Sequence, residues 1–341
     1  MYWNGFLTAL KAPNKRAMYS LMRDLRAVIR FHFLHSAIQC GLVAALREPA
    51  TREALAGKLS VVREDLLDGL LDMGLALGEL RLRHGMYHAG TLFQGMATES
   101  GDSLAACVEA FATYYASIYR GAPARLTGAP NGRYLEEIGP LVARFSRVSE
   151  PYVASFLRKA LAGRKAARVL DVGCGSGGFL FQCAAINPAA MGVGLEKDPA
   201  VAEAARENLR LWGLEERFQV LTGDLRQPPA TLGGPFDLAL LVNALYYFPP
   251  EERMAVLQDF RQHLAPNGAL VLVCSFQGKG RNVLAANLNL ATCSMHGCWP
   301  LPDLDETQAQ LRQAGFTRLR VARLMPSSTL FGILAHSGEP A

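Results

Sequence analysis

Between residues 15 and 47 apolar side chains recur at helical spacing, at Leu21, Leu25, Ile29 and Phe33 and then at Ala37, Ile38, Leu42 and Leu46. Positions three or four apart share one stripe of an α-helix, and this stretch has enough of them to be buried on more than one side. That predicts a contact between subunits. Thr51, following Pro49, is an N-cap for a short helix, and Ser60 to Gly78 predicts another with Leu66, Leu70 and Met73 on one face. From Leu80 to His88 the pattern changes to alternation around His84-Gly85, which reads as strand, turn, strand.

Three helices followed by a hairpin make a winged-helix-like module, placed at residues 1–100. Helical spacing returns over 102–160 with Leu104, Cys107, Val108, Phe111, Tyr115 and Ile118. A Gly/Pro-rich loop is expected from Gly121 to Gly132, and then a helix bracketed by Pro140 and Pro151 with Phe145 and Val148 inward. Residues 101–160 are thus a helical linker and pocket wall. From Arg168 onward strand-length apolar runs alternate with helical stretches, and that alternation implies a parallel sheet with right-handed crossovers. The last two runs, Phe316 to Val321 and Leu330 to His336, complete seven strands as an antiparallel pair.

Composition narrows the class. Half of the 341 residues are hydrophobic, enough for two domains at about 150 residues each. A net charge of +5 without any Lys/Arg run argues for a solvated surface and against a nucleic-acid footprint. The helix that would read DNA carries Arg63 but also Glu64, Asp65, Asp68 and Asp72, which would face phosphates badly. No apolar run approaches the roughly 20 residues of a membrane span, and Met1 to Lys11 lacks the form of a leader. Seven scattered cysteines do not resemble a disulfide framework, so a cytoplasmic protein is expected.

The chemistry concentrates at Arg168 to Gly178, an apolar strand running into a glycine-rich turn and then an apolar helix. Gly173, Gly175 and Gly178 satisfy G-x-G-x-x-G, whose glycines let a ligand lie against bare backbone at a helix N-terminus. Asp171 ends the strand, and Glu196 ends a second apolar stretch about 20 residues beyond the turn, where a ribose-binding carboxylate is expected. A carboxylate such as Asp171 repels a pyrophosphate and attracts a sulfonium or ammonium group. S-adenosyl-L-methionine is therefore favoured over NAD.

With these residues in place, residues 168 to 276 resemble the Rossmann-like core of class I S-adenosylmethionine-dependent methyltransferases, with Asp171-Val-Gly-Cys-Gly-Ser-Gly-Gly178 as their first motif. Nearly the whole chain is similar to the two-domain small-molecule methyltransferases, including plant-type O-methyltransferases, bacteriochlorophyll C-methyltransferases and the sulfonium-forming S-methyltransferases of dimethylsulfoniopropionate synthesis. The resemblance implies an α/β methyltransferase domain at 161–341, preceded by a winged-helix-like dimerisation domain that helps close the partner's pocket. It also places Asp224 near the adenine amino group and Leu225 on the ring. The antiparallel end of the sheet distinguishes such domains from NAD-binding ones.

The acceptor end departs from the plant-type pattern. Where those enzymes carry a His-Asp-Trp with histidine as general base, this chain has Tyr246-Tyr247-Phe248, as the bacteriochlorophyll enzymes have tyrosine. A tyrosine with a pKa near about 10 is a poor proton acceptor at neutral pH, though its hydroxyl orients a nucleophile and its ring faces a cation. Asn243, Tyr246 and Tyr247 are the candidate catalytic residues, and Asn243 is also a candidate cofactor contact that holds the acceptor or the cofactor's amino-acid end. Tyr115, Arg144, Arg147, Tyr246, His296 and Trp299 are candidate substrate contacts, with Asn287, Asn289 and Met295 from the same 277–304 insertion. Core packing is the competing reading for Tyr114, Tyr115 and Tyr119, and salt bridging for Arg144 and Arg147. Cys293 and Cys298 flank His296 but lack a second ligand pair, so no metal is expected. A base is needed only where removing a proton exposes the lone pair, so the missing histidine favours an S, C or N acceptor over an alcohol or phenol.

Overall fold

The computed structural model describes residues 14–98 and 101–338, and the apolar stretch Met1 to Lys11 lies outside the described residues. The chain divides into two compact units, residues 1–117 with 140–145 and residues 118–139 with 146–341.

The first unit opens with α1 (Lys15–Gln39), α2 (Leu42–Ala45), α3 (Arg52–Lys58) and α4 (Glu64–Leu77). Thr51 caps α3 as its spacing predicts, its hydroxyl oxygen accepting from the Ala54 N–H at 3.2 Å. Gly78 ends α4 with φ +79°, and β1 (Leu80–Arg83) and β2 (Met86–Ala89) pair antiparallel across His84 and Gly85, both at positive φ. In α4 the inward face is one residue on from the expected one. Leu67, Leu71 and Gly74 are buried, whereas Leu66 and Met73 are exposed. Gly74 sets this rotation, because a Cβ there would lie 2.6 Å from Leu80 and 2.9 Å from Phe33, so the helix approaches through its smallest residue.

Helices α5 (Thr91–Ala97) and α6 (Asp102–Ala110) follow, and α6 passes through a π-helical turn, Phe111–Tyr115, into α7 (Ala116–Leu126). The loop expected from Gly121 is shorter, since α7 continues through Pro123 to Leu126. A proline removes one helical N–H, and the fully buried Ile118 anchors the same helix. Pro140 does not start a helix either; it lies inside α8 (Tyr134–Ser146). The break comes at a 3₁₀ turn, Arg147–Ser149, before α9 (Glu150–Leu161), where Pro151 occupies the first turn and its missing N–H costs nothing.

In the second unit strands and helices alternate: β3 (Arg168–Val172), α10 (Gly178–Ile186), β4 (Met191–Glu196), α11 (Pro199–Leu211), β5 (Phe218–Thr222) and β6 (Phe236–Val242). Next come α12 (Arg253–His263), β7 (Leu264–Ser275), α13 (Val283–Ser294), α14 (Leu304–Gln313), β8 (Arg318–Arg323) and β9 (Leu330–His336). The seven-stranded sheet has the order β5-β4-β3-β6-β7-β9-β8, with β9 antiparallel to both neighbours and the rest parallel, as the sequence pattern predicts.

Alternation along β3 sorts the two cores. Val169 packs with α9, α10 and α11 through Phe156, Leu157, Leu180 and Ala205, while Leu170 and Val172 pack with α12 and α14 through Leu257, Phe260 and Leu311. Between β3 and β6 the strand order reverses, which opens a crevice at the carboxyl ends of the strands.

Candidate active site

The crevice begins where β3 ends. The turn needs backbone conformations that side chains resist: Gly173, Gly175 and Gly177 have φ of +70°, +54° and +83°. Gly178, the third glycine of the sequence motif, instead opens α10, and Gly177 takes the left-handed position just before it. Around Gly175 the space is open, a Cβ there meeting nothing within 4 Å. The Gly173 N–H donates to the Leu195 carbonyl at 2.8 Å, which ties the turn to the end of β4.

Two carboxylates face this turn and do different things. Glu196 accepts from the Gly175 N–H at 3.0 Å and from the Asp198 N–H at 3.1 Å, so it holds the turn and the start of α11 together. Asp171 is 1% exposed and its Oδ2 has no hydrogen-bond partner. Burial, and secondarily the Glu196 charge, push its carboxyl up to about 7. A buried carboxylate with an open oxygen next to a second one is suited to a cation, and the residues fit a ligand that brings positive charge to bare glycine backbone.

Past β5, Asp224 is gripped by Arg226, with Nη2 to Oδ2 at 2.6 Å and Nε to Oδ1 at 3.1 Å; that hydrogen bonding holds it below the usual carboxylate range. Arg226 also donates to Glu252 at 2.7 Å. These three, with Lys197, Gln227 and Val256, line a cavity of about 590 Å³. Leu225 is buried in the core beside it. Asp224 is expected here from the sequence, whereas Arg226 is not, the only sequence signal for it being its place two residues after Asp224.

Past β6, Asn243 adopts φ +51° and donates its N–H to the Val273 carbonyl at 2.7 Å. A 3₁₀ turn then carries Tyr246 and Tyr247, whose rings lie 4.9 Å apart. Burial pushes the Tyr247 hydroxyl well above its ordinary value, so it stays a protonated donor. The Trp299 N–H donates to the Tyr246 carbonyl at 2.9 Å, which brings the 277–304 segment onto this turn. Arg253 pins the same segment, donating to the Phe248 and Pro300 carbonyls at 3.2 and 2.7 Å. His296 is exposed and held through its backbone, its N–H donating to the Gly132 carbonyl at 2.9 Å. Tyr119 donates to Asn287 at 2.9 Å, so α7 meets α13 at this end of the unit.

The other expected substrate contacts have partners or positions of their own. Tyr115 is buried in the first unit and stacks on Phe111 at 4.6 Å. Arg144 is in an ion pair with Asp102 at 2.7 Å and with Glu109 at 3.1 Å, within the first unit. Arg147 lies exposed on the 3₁₀ turn before α9. Among the described residues no group of three or more His, Cys, Asp or Glu could hold a metal ion.

Residues 169–268 match the family described as methyltransferase domain. A protein-L-isoaspartate O-methyltransferase of Methylorubrum populi is 37% identical over 138 residues, 39% of this chain and 58% of that protein. A demethylspheroidene O-methyltransferase of Rhodobacter capsulatus is 26% identical over 321 residues, 88% of this chain and 75% of that protein. The chain thus spans less than two thirds of the first of these relatives and three quarters of the second. The solved structure of PigF with SAH, the demethylated product of the cofactor, superimposes with a TM-score of 0.76 at 19% identity, covering 95% of this chain and 100% of that one. The chain has the class I S-adenosylmethionine-dependent, O-methyltransferase-like fold, and its residues 169–268 match a methyltransferase domain.

Proposed function

We propose that the protein transfers a methyl group from S-adenosylmethionine to a small molecule, with an S, C or N atom as acceptor. The observation that carries the cofactor is the buried Asp171 carboxyl with its open Oδ2 beneath bare glycine backbone. The demethylated product in the PigF structure supports the same reading. Bound there, the cofactor supplies an electrophilic methyl on a sulfonium that is already a good leaving group. Asp171 attracts its positive charge, Glu196 offers a carboxylate toward the ribose while keeping the turn in shape, and Asp224 lies at the edge where the base belongs.

What the acceptor side contributes is orientation and exclusion of water. Tyr246 and Tyr247 present rings and hydroxyls at the end of β6, and the segment pinned by Arg253 meets the turn that carries them. Neither the protonated Tyr247 nor the backbone-held, exposed His296 makes a ready general base. The thioether of a small carboxylate, as in dimethylsulfoniopropionate synthesis, is one acceptor that reacts without a base. O-methylation of a phenol is the second reading, favoured by the O-methyltransferase names of the relatives. Labelled cofactor offered with thioether, phenol, amine and tetrapyrrole acceptors separates the two. Transfer to a thioether, amine or carbon at a rate flat through neutral pH supports the first, and transfer only to phenols with a steep alkaline rise supports the second.

A homodimer belongs to the same proposal. The first half of α1 exposes Met18, Leu21, Met22, Leu25, Val28 and Ile29, a larger apolar face than a monomer tolerates. Light scattering at micromolar concentration is expected to give twice the chain mass. The first unit argues against a DNA reader, since Arg52 is paired with Glu64 and Asp68 and Arg63 with Asp65.

A further inference from the structure

We propose that Glu150 is a further binding residue of the glycine-turn site and holds the ammonium group at the amino-acid end of the cofactor. The inference rests on the reading that the site takes S-adenosylmethionine, and adds a residue from outside the sheet.

Glu150 is the first residue of α9, the helix that packs against α10. Its Oε1 lies 3.8 Å from the point a Cβ on Gly178 would occupy, so the carboxylate sits beside the first residue of α10, at the foot of the turn. Among the described residues that carboxylate accepts no hydrogen bond and forms no ion pair within 4.0 Å. Half-burial raises it above the usual carboxylate range, against a smaller opposing effect of Arg147. The N-terminus of α10 favours a nearby anion, yet Glu150 makes no hydrogen bond to its N–H groups, so this attraction is diffuse.

The second observation comes from the neighbouring strand. Asp171 alternates with Leu170 and Val172 and shares the face of Val169, the face that α9 and α10 cover. The buried, unpartnered Oδ2 of Asp171 and the unpaired carboxylate of Glu150 therefore lie on the same side of the sheet, at the two ends of one turn. Two carboxylates so placed repel a phosphate or carboxylate and accept a group with several N–H donors and a full positive charge. The ammonium of an amino acid is such a group, and Arg147, within three residues, is available to the carboxylate of the same amino acid.

Calorimetry with two ligands tests this without turnover. S-adenosylhomocysteine carries the amino-acid end; methylthioadenosine has the same nucleoside and thioether but lacks it. In Glu150→Gln, affinity for S-adenosylhomocysteine is expected to fall about tenfold or more, the scale of a charge-assisted hydrogen bond, while affinity for methylthioadenosine is unchanged. Retained methylthioadenosine binding also shows that the variant is folded. Equal losses for both ligands, or no loss for either, would overturn the assignment of Glu150 alone. Wild-type protein that binds neither ligand would overturn the cofactor reading, and the assignment with it.

Discussion

The crevice has two ends built by different means. At the β3–β4 end, position is set by backbone: three glycines at positive φ, N–H groups donating to Leu195 and Glu196, and carboxylates fixed at strand termini. At the β6 end, position is set by contacts from distant stretches, the Trp299 backbone N–H on the Tyr246 carbonyl, the Arg253 side chain on the Phe248 carbonyl and the Tyr119 hydroxyl on Asn287. The contrast suggests a division of labour. Under the proposed function, the cofactor would be met by the backbone cradle, and the acceptor by residues brought together from distant stretches.

If that contrast holds, the largest effects come from the cradle. Glu196→Ala releases the Gly175 and Asp198 N–H groups and removes the carboxylate proposed to meet the ribose, so S-adenosylhomocysteine affinity is expected to fall by about 1 to 3 kcal/mol. Titration calorimetry measures it, and unchanged affinity would show that Glu196 serves the turn alone. At the other end the effect is smaller if no base is at work. Tyr246→Phe is expected to cost about tenfold in kcat/KM, the loss of one hydrogen bond, and Tyr246→Ala considerably more through the vacated wall. A loss of order 10² to 10⁴ in Tyr246→Phe, with a rate rising toward the tyrosine pKa, would instead make the tyrosine a base and return the enzyme to O-methylation.

The cradle was the legible end. A strand, a glycine pattern and an acidic residue about 20 positions on have fixed relations in sequence because they have fixed relations in a βαβ unit, so Asp171, Gly173, Gly175 and Glu196 could be named from spacing. Gly177 was missed because the motif spacing is met by Gly178, and Glu150 because its approach to Gly178 depends on the packing of α9 on α10. At the β6 end spacing names residue types without their partners. Arg144 could be a carboxylate binder or an ion-pair member until Asp102 and Glu109 were seen beside it. In α4 the apolar pattern offered two adjacent faces, and only contact with Phe33 and Leu80 through Gly74 chose between them.

A separate effect is expected in the pH dependence of stability. The Asp171 carboxyl is raised to about 7 in the folded chain, against about 3.9 in an unfolded one. Between those values the folded state binds the extra proton, so the stability it contributes is fully present below about pH 4 and lost as pH rises through about 7. Thermal melts should show Asp171→Asn gaining on the parent from about pH 4 to about pH 7 and level above it. A parallel pair of curves would mean that Asp171 is ionised throughout.

Carboxylates around bare glycine backbone are proposed to select a cationic, phosphate-free nucleoside cofactor. Titrating the purified protein with S-adenosylmethionine and, separately, with NAD tests it most directly. Saturable binding of S-adenosylmethionine at one site per chain with no heat from NAD is the predicted result, and saturable NAD binding with no response to S-adenosylmethionine would contradict it.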